Sequence, residues 1–271
     1  MEDLSWYSSY SEESCQLGRY AERFLKIIPR EIESSQKLSP QHFTRKRKLP
    51  FPKLITLLLS IVSSGKAKGV DVKSGEFFRA AKRSGLWPEA EAVHHSALSK
   101  VRQKVHWHVF QDMLNDAVKL AYECWPQDPR SDWHGMPVCA IDGSKYNLPA
   151  TAEIRSEFDS KSGLDYPGKG HYPQCLVSTL YDVFRRLPIA RTVVPANSSE
   201  REEVKSLLKF LPSGRIVLFD RGYPSYELIR YLIEEYAGYF VFRCPAHATF
   251  PAVHAFIASG KEEDEICIAP L

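Results

Sequence analysis

Two short stretches constrain this chain more than any other feature, because each runs apolar residues into an aspartate at a strand end. In Arg215-Ile216-Val217-Leu218-Phe219-Asp220-Arg221-Gly222-Tyr223 the apolar run predicts a buried strand, and Gly222 and Pro224 then force a turn. Helical spacing follows from Tyr226 to Tyr236, so Asp220 sits where a strand hands over to a helix. Pro137-Val138-Cys139-Ala140-Ile141-Asp142-Gly143-Ser144 repeats the pattern, with a strand over Val138 to Ile141 ending at Asp142. The two aspartates lie 78 positions apart in the chain. The expectation is that folding brings them together to hold divalent metal.

The periodicity around them predicts strands over Gln174 to Asp182, Leu187 to Val194 and Gly238 to Cys244, the first two joined as a hairpin through Phe184-Arg185-Arg186. A helix is predicted from the N-cap Ser199 to Leu211, with Glu202 and Glu203 in its first turn, where the helix dipole favours anions. Strand, hairpin, helix, strand, helix, strand is the order of a ribonuclease H-like core, in which the first and fourth strands are neighbours. By that fold analogy Asp142 and Asp220 come within reach of one metal pair. The expected fold class is α+β or α/β, a helical N-terminal domain followed by a ribonuclease H-like mixed-sheet core that is incomplete at its C-terminus.

Residues 1–125 read as the helical domain, 126–135 as a linker with prolines and a glycine, and 136–271 as the partial core. In the first part, apolar spacing predicts a short amphipathic helix ending near Ile28, a buried helix over Leu54 to Val62 begun by Pro52, and a helix over Glu76 to Arg83 closed by Gly85. Two more follow over Ser96 to Val105 and Val109 to Trp125, while Gly65 to Gly75 reads as a connector. Residues 41–110 hold fourteen Lys/Arg against four Asp/Glu, a local +10, so the remainder carries −7 within a total of +3. Such asymmetry suits a polyanion-binding part joined to one differently employed, although a solvated basic surface has the same composition.

The basic run Arg45, Lys46, Arg47 and Lys48 is a candidate for phosphate contact, and Lys100, Arg102 and Lys104 form the polar face of the Ser96 to Val105 helix. That helix and the one before it resemble helix-turn-helix logic, but the residues between them exceed its tight turn; a plain helical bundle is an equal reading. His94-His95 and His106-Trp107-His108 read as surface or capping histidines, since residues two apart on a helix do not share a face.

No signal peptide is evident, and the longest apolar stretch, Leu54 to Val62, is far shorter than the roughly 20 residues of a membrane span. The six cysteines are scattered with no CxxC pair, which argues against a zinc site or disulfide frame and suits a reducing, cytoplasmic setting. An aspartate-nucleophile phosphatase is a poor reading, because Ser144 stands where its second aspartate would be needed.

Taken together, Ile141-Asp142-Gly143-Ser144, Leu180-Tyr181-Asp182, Ser199-Glu200-Arg201-Glu202 and Phe219-Asp220-Arg221-Gly222-Tyr223 resemble the DDE transposases of bacterial insertion sequences, in the insertion-sequence-four group. Ser96-Ala97-Leu98-Ser99-Lys100-Val101-Arg102 is similar to their N-terminal domain, and the likeness spans roughly residues 40 to 245. The resemblance implies a nucleotidyl-transfer enzyme that cuts transposon ends and joins the freed 3′-hydroxyl to target DNA. It implies Mg²⁺, with Mn²⁺ as substitute, held by Asp142 and Asp220 as the first two members of an acidic triad. It implies double-stranded DNA as partner, homo-oligomers on that DNA, a nucleoid location when bound, and Arg221 contacting a phosphate or pairing with Asp220.

The family's third carboxylate, a glutamate in a Tyr-x-x-Arg…Glu…Lys signature beyond the fifth strand, has no counterpart; Glu262-Glu263-Asp264-Glu265 is a weak substitute. The chain therefore reads as an N-terminal fragment whose competence to cut is open. The alternative is a non-catalytic DNA-binding remnant that inhibits or partners full-length transposase.

Overall fold

The computed structural model describes residues 23–24, 26–28, 36–45, 47–63, 69–85, 87–125, 132–159, 172–211, 214–236, 238–246 and 250–268. Most of the expected N-terminal helix, Lys46 and residues 126–131 of the expected linker lie outside them. The chain divides into two compact units, residues 1–124 and 125–271.

The first unit is helical. Helix α1 (Phe51–Ser63) carries Pro52 in its first turn, where the missing N–H costs nothing, and buries Leu54, Ile55 and Leu57 completely. Helix α2 (Val70–Arg83) begins six residues before the position that its sequence suggests, and Gly75 lies within it rather than in a connector. Asp71 in its first turn and Lys82 and Arg83 in its last complement the helix dipole. The chain leaves α2 through Gly85, whose φ of +72° only glycine adopts freely. Helices α3 (His95–Arg102) and α4 (His108–Cys124) complete the set. Leu98 and Val105 face inward, as their spacing predicts, and join Phe51, Phe78, Trp87, Val109 and Met113 in one core. Residues 84–94 separate α2 from α3, so the pair is not joined by the short turn of a helix-turn-helix.

The second unit is built on a mixed five-stranded sheet in the order β3-β2-β1-β4-β5. Its strands are β1 (Val138–Asn147), β2 (Gln174–Asp182), β3 (Leu187–Pro195), β4 (Ile216–Phe219) and β5 (Tyr239–Phe242). β1, β2 and β3 pair antiparallel, whereas β4 lies parallel to β1 and β5 parallel to β4. With its helices this is an α+β fold whose strand order is consistent with a ribonuclease H-like core. Helix α5 (Ala152–Phe158) follows β1, and α6 (Glu200–Leu208) buries Val204, Leu207 and Leu208. Helix α7 (Tyr226–Tyr231) is capped by Ser225 and widens into a π turn over Leu232–Tyr236. Helix α8 (Pro251–Ser259) follows β5.

One strand differs from its sequence reading. β1 does not end at Asp142 but continues to Asn147, because β2 supplies a ladder partner for every residue from Cys139 onward. β4 pairs with β1 only as far as Ile141. The apolar pattern marked where β4 stops covering β1, and not where β1 stops.

The start of the sheet is held by a buried charge cluster. Asp182 is 1% exposed and accepts from the Arg185 guanidinium at 3.1 Å, the Arg185 backbone N–H at 2.9 Å and Arg215 at 3.4 Å. These contacts tie the β2–β3 turn to the strand that leads into Asp220. Beside them, burial pushes the Cys139 thiol up to about 11, against the opposing pull of Arg215. Among the described residues Cys124, Cys139, Cys175, Cys244 and Cys267 are free thiols. No helix among them is long and apolar enough to cross a membrane.

Removing one partner of a buried, hydrogen-bonded ion cluster strands the others. Asp182→Ala is therefore expected to cost about 3–5 kcal/mol in urea unfolding, whereas exposed Glu262→Ala should leave the midpoint unchanged.

Candidate active site

The parallel register of β1 and β4 builds the site. Ile141 lies opposite Phe219, so Asp142 and Asp220, each one residue further on, emerge on adjacent strands where β4 ends. Neighbouring strands run about 4.8 Å apart, which brings together two residues distant in sequence. Both aspartates are exposed, whereas Ile141 and Phe219 are buried beneath them. The sequence reading of a shared location is met at the level of the backbone.

A further carboxylate, which the motifs did not single out, approaches β1 at the residue after Asp142. Glu200 opens α6, and its carboxylate lies against Gly143, the residue after Asp142. A Cβ on Gly143 would fall 2.8 Å from Glu200 Cδ and 2.9 Å from its Oε1. Glycine at 143 is therefore what lets the glutamate approach the strand. Arg201, the next residue, donates from Nε and from Nη2 to the Gly222 carbonyl at 3.1 and 2.9 Å. That fork clamps the start of α6 to the turn that follows Asp220. Lys205 and Glu227 add an ion pair at 3.2 Å between α6 and α7. In the sequence, Glu200 stands only as a member of the block Ser199-Glu200-Arg201-Glu202, with no role assigned to it.

Tyr223 stands three residues past Asp220, in the turn that Arg201 clamps. It is 1% exposed, its ring packs on Phe219 at 5.6 Å, and no hydrogen bond of ordinary geometry satisfies its buried hydroxyl. Its pKa is pushed far up, first by burial, then by the negative fields of Glu200 and Asp142 and, more weakly, of Asp220. The phenol is thus a neutral O–H donor set among carboxylates. Tyr226, by contrast, packs edge-on against Phe250 at 4.7 Å.

The partner of Asp220 is Arg243, after β5, at 3.7 Å and not Arg221. Arg221 is exposed. The reason is the turn: Tyr223 N–H closes onto the Asp220 carbonyl at 3.0 Å, while Arg243 N–H donates to the Phe219 carbonyl at 2.9 Å and so starts beside the aspartate. Both groups of the Arg243–Asp220 pair are more than half exposed, so it contributes little stability. Glu262 to Glu265 lie in an exposed segment after α8, where Asp264 pairs with Lys261 at 2.8 Å.

Carboxylate oxygens are the donor set that a hard divalent ion prefers, and the orphaned Tyr223 hydroxyl marks a polar locus that the protein alone leaves unsatisfied. The three acids fit such an ion by chemistry. As placed, no three His, Cys, Asp or Glu side chains among the described residues converge on one ligating point. The histidines of the first unit do other work: His94 caps α3 by accepting from Ser96 N–H at 3.3 Å, and His106 stacks on His108.

Of the basic residues singled out in the first unit, Arg45, Arg47 and Lys104 line one cleft. Lys48 is ion-paired to Glu91, and Lys100 and Arg102 are exposed on α3 without lining that cleft. Lys46 lies outside the described residues.

Residues 133–254 match the family model described as a transposase DDE domain. The chain is also similar to the putative transposase InsZ of Escherichia coli (strain K12), with 24% identity over 219 residues that cover 77% of this chain. It spans 66% of the length of that relative, just under two thirds. The matched domain contains Asp142, Glu200, Asp220 and Tyr223.

The packing around Gly143 and Tyr223 separates stability from site geometry. Gly143→Ala meets only the flexible ends of Glu200 and Leu176, so it should change unfolding free energy by no more than about 1 kcal/mol while displacing the Glu200 carboxylate. Tyr223→Phe deletes an unsatisfied hydroxyl and is expected to leave stability unchanged or raise it by up to about 1–3 kcal/mol, read in the same unfolding experiment.

Proposed function

We propose that this chain performs transposase-type nucleotidyl transfer on double-stranded DNA, cutting at transposon ends and joining strands, with Asp142, Asp220 and Glu200 as the acidic centre. The observation that carries this reading is the β1–β4 register, which sets the two aspartates side by side within the segment that matches a transposase DDE domain. The motif blocks around both aspartates support the finer assignment to the insertion-sequence-four group.

Asp142, Asp220 and Glu200 would hold Mg²⁺, or Mn²⁺ in its place. When bound, such ions stabilise the attacking and leaving oxygens of an in-line phosphoryl displacement. The chain's own groups supply the rest. Arg201 holds α6 against the Asp220 turn, so that Glu200 and Asp220 keep a constant separation. Arg243 screens Asp220 from its neighbours when no cation is present, and exposed Arg221 meets a DNA phosphate. The basic residues Arg45, Lys46, Arg47, Lys48, Lys100, Arg102 and Lys104 position the DNA, and homo-oligomers form on it. Association with the nucleoid follows from DNA binding.

A second reading, DNA binding without cutting, is favoured by one observation: the three carboxylates do not converge at ligating distance. The two readings part in a nicking and strand-joining assay on DNA bearing the flanking inverted repeats, with Mg²⁺ or Mn²⁺. The nucleotidyl-transfer reading expects activity that falls below about one per cent of wild type in Asp142→Ala, Asp220→Ala and Glu200→Gln. Repeat-specific binding with no metal-dependent nicking in the wild-type chain would discard it in favour of the non-catalytic one.

A further inference from the structure

A cleft of about 820 Å³ opens in the first unit. Among the described residues its charged lining is cationic: Lys37, Arg45, Arg47 and Lys104, with His42 beside them and no Asp or Glu. Its walls are fixed by backbone pairing. Leu38 N–H donates to the Lys104 carbonyl at 3.2 Å and His106 N–H to the Gln36 carbonyl at 2.8 Å, which holds Lys37 next to Lys104. The loop opposite is held just as firmly. His42 N–H closes onto the Ser39 carbonyl at 2.9 Å, and Phe43 sits at a φ of +60°, strained for an aromatic residue and offset by its edge-on packing against Phe51 at 5.6 Å.

A further feature points at an anion. The cleft reaches Pro50, Phe51 and Pro52, the start of the thirteen-residue helix α1, whose dipole presents positive potential there. Like charges crowded into a concavity repel one another unless something neutralises them. Nearby cations are provided for, Lys48 by Glu91 and Lys53 by the face of Trp87 at 3.7 Å. The cleft cations are not: among the described residues none of the four Lys and Arg side chains has an acidic partner.

Size and shape favour a polymer over a single small ion. The cleft is far larger than one phosphate, and its floor includes apolar Leu49, Phe51 and Val101. A second depression of about 700 Å³ adjoins it and shares Arg47, Leu49 and Val101. Arg47 therefore stands between two consecutive hollows, an arrangement that suits successive phosphates of one strand.

The geometry points to this cleft as a binding track for the phosphodiester backbone of DNA, with Lys37, Arg45, Arg47 and Lys104 contacting successive phosphates. It rests on the proposed function only in taking DNA as the partner, and it needs no metal chemistry. Lys37 was not among the basic residues that the sequence marked.

The test is fluorescence anisotropy of the full chain with a labelled 30-base-pair duplex, in EDTA, across a KCl series, so that loss of cutting cannot be confused with loss of binding. Arg45→Ala, Arg47→Ala and Lys104→Ala are each expected to weaken binding and to lower the slope of log K against log[KCl] by about 0.9. The triple variant should lose close to three times that. Lys119→Ala, at an exposed lysine of α4 outside the cleft, should leave the slope unchanged. Arg45 and Arg47 are exposed, so their variants should fold normally, checked by circular dichroism; Lys104→Arg should restore the slope if charge is what matters. Unchanged slopes in the cleft variants would overturn the proposal. So would inorganic phosphate that protects the wild-type chain against heat, but not the triple variant, while duplex DNA binds both equally; the cleft would then be a small-anion site.

Discussion

The parallel pairing of β1 and β4 is the constraint on which the second unit depends. It runs for four residues, from Val138 opposite Ile216 to Ile141 opposite Phe219. Its apolar side chains supply burial on both faces, and its end is what exposes Asp142. Had β4 been two residues longer, Asp142 would lie in the interior of a mixed sheet, where an unpaired carboxylate is prohibitively costly to ionise. The acidic site is thus a consequence of unequal strand lengths: β1 has ten residues, β4 four.

That short ladder needs support from outside itself. Asp182 provides it by gathering Arg185 and Arg215, so that the β2–β3 turn and the entry to β4 share one buried charge cluster. At the other end of the ladder, Arg201 reaches the Gly222 carbonyl, and Gly143 leaves room for Glu200. Both devices join parts of the chain that are far apart in sequence. Both act by hydrogen bonding to backbone or to a buried carboxylate, where geometry is narrow. The Tyr223 hydroxyl is buried without a hydrogen-bond partner, as are the Ser178 and Thr192 hydroxyls on the neighbouring strands.

In the first unit charge plays the corresponding part. The +10 of residues 41–110 is not spread evenly in space. Some cations are neutralised locally, while those of the cleft face one another across a concavity next to a helix start. The apolar core beneath, from Leu49 to Met113, underlies the cleft.

What the sequence determined by itself was local. Apolar runs into Asp142 and Asp220 marked two strand ends, because a strand's burial pattern and its terminating glycine lie within a few residues. The strand order, and hence the nearness of the two aspartates, came from the succession of elements. The spacing of Leu98 and Val101 foretold which side of α3 packs on the core. Tertiary structure decided the rest. Glycines at 69 and 75 read as breakers, yet α2 runs through Gly75, because packing of Phe78 outweighs a glycine's propensity cost of about 1 kcal/mol. Residues Gly143 to Asn147 have no strand pattern of their own and are strand only because β2 pairs with them. The choice of Arg243 over Arg221 as the partner of Asp220, and the entry of Glu200 into the site, depend on contacts across 21 to 57 positions of sequence. No window along the chain contains both members of such a contact, and only the folded backbone brings them into reach.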